Sequence, residues 1–257
     1  METPGTISRI LWHFTGGPVW DDELHKQKPE PKPLTEAYSI LKSIIKSKEI
    51  RLSNYKENLK VAAKEGGYRK VSGNFESARV CCLADIPLRH LNYHSNRYGK
   101  CAIGFYRQSA LTNGFNPIFY SLQNSTELQN IYSGLTDITD SGTEESFDLL
   151  LGYMHDYGEN HLIDSAESTV DDIKMALADA RSSIETLSAF IKTFDQSEFA
   201  TIYCEREWRS LLPFKFKETD IAMVVLPGGQ DYYNDLKDSR ILSDKIPIVP
   251  WEDLIEH

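Results

Sequence analysis

The sequence predicts an α+β fold, and three observations carry that prediction. Strand-length runs rich in aromatic and branched residues recur at 9–15, 79–83, 101–106, 117–120 and 221–227. Helical spacing of apolar residues is confined to a few separate blocks. The resulting order is strand, helix, several strands, a helical block, then more strands, without the regular alternation of a doubly wound sheet. No GxGxxG follows a strand and no GxxxxGK[ST] is present, which speaks against Rossmann and P-loop folds.

The first strand, 9–15, runs Arg-Ile-Leu-Trp-His-Phe-Thr and stops at Gly16-Gly17-Pro18. A Pro-rich loop leads to Thr35, expected to cap a helix with Ala37, Ile40, Leu41, Ile44 and Ile45 on its apolar face. Ile50-Arg51-Leu52-Ser53 reads as a strand leaving that helix, and 56–75 as a polar loop. After the strand at 79–83, Asp85-Ile86-Pro87 is a helix start, with the helix expected to end near Tyr93. Strands at 101–106 and 117–120 enclose the Asn113-Gly114 turn signal. Helical patterns follow at 144–157 and 171–194, the second amphipathic through Ile173, Leu177, Ala180, Ile184, Leu187 and Ile191. Strands at 201–216, 221–227 and 246–249, with a short helix at 231–238, complete the chain.

The 257 residues suit one domain, 1–257, with a helical insertion at about 122–200. The net charge is -10, but it is unevenly spread. Residues 122–200 hold 16 acidic and 3 basic side chains, whereas the rest is mildly basic. Basic stretches fall at 41–70 and 86–107, a pattern that suits a polyanionic partner. No apolar run is long enough to span a bilayer, and Met1-Glu2-Thr3-Pro4-Gly5 lacks signal-peptide character, so a cytosolic location is expected. Cys81, Cys82, Cys101 and Cys204 form no CxxC pair and read as free thiols.

Two segments concentrate the chemistry. If 205–209 is one strand, Glu205, Glu207 and Arg209 share a face, and Arg209 can relieve the two carboxylates. Such a carboxylate either belongs to a salt-bridged strand or stabilises developing positive charge in a cleft. His13 and Thr15 share a face of the first strand, beside glycines that permit a close ligand approach. His90 and His94 have helical i,i+4 spacing but lack the further ligands of a zinc site, so no metal is expected.

Several segments resemble the AbiGi group of bacterial abortive-infection proteins. They are Leu11-Trp12-His13-Phe14-Thr15, Ile50-Arg51-Leu52-Ser53, Cys82-Leu83-Ala84-Asp85-Ile86-Pro87, the stretch 98–105, Asn116-Pro117-Ile118-Phe119-Tyr120 and Glu205-Arg206-Glu207-Trp208-Arg209. They cover most of 9–120 and 201–227, with the insertion outside. The same layout resembles ADP-ribosyltransferases of the DarT-like and diphtheria-toxin-like branch, which implies a split mixed or antiparallel sheet and NAD as substrate. On that resemblance His13 holds the adenosine-side ribose, the Phe14 backbone pins the nicotinamide amide, and Thr15 completes the strand motif. Glu207 stabilises the oxocarbenium-like transition state and Glu205 directs the acceptor. The resemblance departs at the middle motif, where Val80-Cys81-Cys82-Leu83-Ala84 offers no stacking Tyr, leaving Ser53, Tyr55 or Tyr93 to fill that place.

Two functions follow from these resemblances. The leading expectation is an NAD-dependent ADP-ribosyltransferase toxin of anti-phage defence, with a nucleic acid as possible acceptor. The alternative is a catalytically silent antitoxin or regulatory protein of a toxin–antitoxin pair. The acidic insertion is expected to project away from the cleft, or to act as a lid or as the docking site for a cognate neutralising partner.

Overall fold

The computed structural model describes residues 8–254 apart from 22, 24–25, 29, 55, 57, 62–72, 132–159, 199–201 and 229. In chain order its elements begin β1 (Ile10–Phe14), β2 (Trp20–Asp21), β3 (Lys26–Gln27), α1 (Leu34–Ser47), β4 (Glu49–Ile50), β5 (Asn58–Val61), β6 (Gly73–Glu76), β7 (Cys81–Ala84) and α2 (Leu91–Tyr98). They continue β8 (Ala102–Tyr106), α3 (Arg107–Thr112), β9 (Asn116–Pro117), β10 (Phe119–Leu122), α4 (Asn160–Ala189), β11 (Ile191–Phe194), β12 (Glu207–Ser210) and β13 (Phe214–Lys215). The last are β14 (Ile221–Leu226), α5 (Gln230–Asp238) and β15 (Ile248–Pro250). The mixed α+β class is as expected. The helical pattern at 144–157 lies outside the described residues.

The chain forms two compact units, 1–56 with 79–118 and 200–257, and 57–78 with 119–199. The first is built on a seven-stranded sheet in the order β15-β14-β8-β1-β7-β12-β9. Its neighbours are antiparallel except for the parallel β14–β15 pair. Alternation along the strands gives it two apolar faces. Leu11, Leu83, Ile103, Phe105 and Val224 meet Ala37, Leu41 and Ile45 of α1 in one cluster, and Leu236 of α5 joins it. Trp12, Ala84, Ala102 and Val225 meet Leu91 of α2 and Trp251 in the other.

Several expected boundaries shift for local reasons. Thr35 does not cap α1; the helix starts at Leu34 behind Pro33, whose carbonyl accepts the Ala37 N–H at 3.0 Å. Asp85 caps no helix either, because its carboxylate is held by Arg107 and Arg206. A 3-10 turn, Leu88–His90, precedes α2, which runs on to Tyr98 rather than stopping near Tyr93. Ile50-Arg51-Leu52-Ser53 is strand only at its start, where Ile50 pairs with Phe214.

The second unit contains the antiparallel hairpin β5–β6, the parallel pair β10–β11 and the 30-residue α4. The insertion is therefore not purely helical. α4 ends at Ala189, and the β-branched run that follows pairs as β11 with β10, Ile191 opposite Phe119. The polar stretch expected as a loop supplies the hairpin. The Ser53 N–H donates to Val80 at 2.8 Å, and the Ile118 N–H to Glu207 at 3.1 Å. Each excursion out of the first unit thus leaves and rejoins it at hydrogen-bonded neighbours. Among the described residues no helix is long and apolar enough to cross a membrane.

Candidate functional site

The side chains singled out by the sequence fall in the first unit, and the strand register decides which of them meet. Ala84 of β7 lies opposite Trp12 of β1 on one side and opposite Glu207 of β12 on the other. Cross-strand partners point to the same face, so Trp12, Ala84 and Glu207 stand in one row. His13, one residue along, points to the opposite face with Leu11. The roles that the transferase resemblance implies bring His13, Thr15 and Glu207 together around one NAD, and this register corrects that by separating them onto opposite faces of the sheet.

His13 Nδ1 lies 3.1 Å from the Cys82 carbonyl, so that nitrogen carries the proton. Burial lowers the pKa of the ring below the usual histidine value, and the Cys82 bond offsets that only in part. The buried Thr15 hydroxyl donates to the Ala37 carbonyl of α1 at 2.8 Å. Phe14 stands opposite Ala102 in the β1–β8 ladder. Ser53 staples the chain to Val80, and Tyr55 lies outside the described residues.

On the Glu207 face the residues do converge. Arg209 is two residues from Glu207 on the same strand, and it donates from Nε and Nη2 to Oε1 and Oε2, both at 3.0 Å. The pair is bidentate and buried, with Arg209 fully inaccessible. The relief of Glu207 by Arg209 is thus present, but Glu205 does not share that strand. It closes a 3-10 turn, Tyr203–Glu205, and Arg206 follows in the left-handed region at φ 43°. This turn breaks the alternation and aims Glu205 at α2. There Tyr98 Oη donates to Glu205 Oε1 at 2.5 Å, and Arg97 Nη1 lies 3.4 Å from the same oxygen.

Tyr98 and His94 were not assigned to the site from sequence: His94 was weighed only as a metal ligand with His90, and Tyr98 lay beyond the helix end expected near Tyr93. Their i,i+4 spacing is the signal that could have found them. The rings stack at 4.4 Å, and Phe14 lies 4.9 Å from His94. Gly16 fits beneath this wall because a Cβ there would meet the Tyr98 carbonyl oxygen at 2.8 Å. At the adjoining strand end, Asp85 Oδ1 is 2.8 Å from Arg107 Nη2 and Oδ2 is 3.1 Å from Arg206 Nη2. The Arg107 contact is an ion pair without hydrogen-bond alignment, and the same guanidinium lies 5.4 Å from the Trp208 ring centre.

Chemically, both glutamates are held by cations or a phenol. Four side chains of the basic stretches are also engaged: Arg97 and Arg107 pair with Glu205 and Asp85, and Lys42 and Lys48 pair with Asp235 and Glu218. The arrangement is that of a cross-braced sheet.

A family model described as "Putative abortive phage resistance protein AbiGi, antitoxin" matches residues 56–226, two-thirds of the chain. The chain belongs to the AbiGi family. The match takes in the second unit entirely, which the sequence resemblance had left out, and omits β1 and α1, which it had included. No curated protein and no solved structure matches significantly. The leading sequence expectation, an ADP-ribosyltransferase toxin, is corrected by this finding: AbiGi proteins are described as antitoxins, the function held as the alternative.

Proposed function

We propose that this AbiGi protein is the antitoxin of an abortive-infection pair, acting in the cytosol by binding its cognate toxin protein. The observation that carries the reading is the match to an antitoxin family across both units. The geometry supports it. Glu207 is closed off by a bidentate bond to a fully buried arginine, an arrangement suited to bracing a sheet. NAD and a nucleic-acid acceptor have no part in the proposal.

Growth of bacteria carrying the chain, the toxin of its pair, or both provides the test. The chain alone is tolerated, and its co-expression restores growth that the toxin arrests. Growth arrest by the chain alone, relieved by a folded Glu207→Gln variant, would overturn the reading.

A further inference from the structure

The antitoxin reading leaves open which surface meets the toxin. α4 has an unusual solvent face. Ile173, Ala176, Ala180, Ser183 and Leu187 follow one another at spacings of three and four, so they form one stripe along the helix. Val170 and Ile184, on the neighbouring stripe, are buried, whereas Ile173 and Leu187 are 41% and 47% exposed. Ala176 and Ser183 are exposed, and Ala180 is half-buried. Asp172 and Asp179, one turn-edge away and seven residues apart, border the stripe and are exposed. Lys174 and Arg181, the basic residues of the helix, fall on the far side, next to the buried stripe.

We propose that this stripe is the docking surface for an amphipathic helix of the toxin whose apolar face is flanked by lysine or arginine; this rests on the antitoxin reading. Three observations converge on that occupant. The small residues at 176, 180 and 183 let a helix approach closely between Ile173 and Leu187. The border of the stripe is acidic, so the complementary flank is basic. The range of the family match, 56–226, takes in the second unit and α4 within it. A second copy of this chain is a poorer occupant, because its own Asp172 and Asp179 would bring like charge to the border of the contact.

The test uses the full chain and the purified toxin of the same pair, with affinity measured by calorimetry at two salt concentrations. Asp172→Lys with Asp179→Lys weakens binding by about tenfold or more and flattens its salt dependence. Ile173→Asp with Leu187→Asp abolishes binding. Leu212→Asp, on an exposed side chain of the first unit, leaves it unchanged. Unaltered thermal unfolding of each variant confirms that the fold is retained, and Asp172→Asn with Asp179→Asn gives a milder variant with the same expected direction. Wild-type affinity in the α4 variants, while the wild type still neutralises and binds, overturns the docking surface alone. A wild-type dimer that the α4 variants dissociate overturns it in favour of self-association. Failure of the wild type to neutralise the toxin overturns the antitoxin reading itself.

Discussion

Replacing Glu207 by Gln separates a bracing role from a catalytic one. The substitution keeps the shape of the side chain, so an active-site glutamate would lose activity at little cost to the fold. Here Glu207 supplies both oxygens of a bidentate bond to Arg209, whose side chain is 0% exposed while that of Glu207 is 9% exposed. Removing the negative partner of such a buried pair costs about 3–5 kcal/mol. For a chain of this size, 1 kcal/mol moves the midpoint by roughly 2 °C, so a fall of about 6–10 °C is expected by calorimetry. Substituting both partners with apolar residues, Glu207→Leu with Arg209→Met, should recover much of the loss, because no charge is then left without its counter-ion. A Glu207→Gln midpoint within about 2 °C of wild type would refute the bracing argument.

Two further outcomes follow from burial. His13 has a folded-state pKa below the usual value of 6.5, so the unfolded chain takes up a proton that the native ring resists. Stability should therefore fall as pH drops below 6.5 toward the lowered folded value; denaturant midpoints between pH 7.5 and 5 should show a shallower decline in His13→Gln, and an equal decline would remove His13 as its source. Burial pushes Cys81 and Cys101 up to about 12, whereas Cys204 is exposed. A thiol reagent at pH 8 should label Cys204 quickly and reach Cys81 and Cys101 only after unfolding, as peptide mapping would reveal.

How far the fold could be read from sequence depended on how local its causes are. The apolar rhythm of β8 and β14 and the helical spacing of α1 are written in consecutive residues, and their positions were legible. So was the companionship of Glu207 and Arg209, which needs only the two-residue period of a strand. What failed depends on long-range pairing. Nothing near His13 reveals that Trp12 rather than His13 aligns with Glu207, since that register is set through Ala84 on a third strand. The break at Arg206 was hidden because a left-handed arginine carries no glycine to mark it. The hairpin β5–β6 escaped because its partners in the second unit lie more than forty residues further along the chain.

The place of β1 in the sheet has a consequence for biosynthesis. β1 is made before both of its neighbours, yet it sits in the interior of the ladder, between β8 and β7. Trp12 cannot find its cross-strand partner until Ala84 has been made, and Ala84 is flanked on its other side only when Glu207 emerges. Nascent chains therefore carry β1 unpaired until β7 and β8 have been made, and the sheet is completed later, when β12 joins β7 through contacts distant in sequence. A chain begun at residue 56, where the family match starts, would lack the strand between β7 and β8 and would present two bare edges. Truncations should accordingly spare β1, however peripheral it looks on paper.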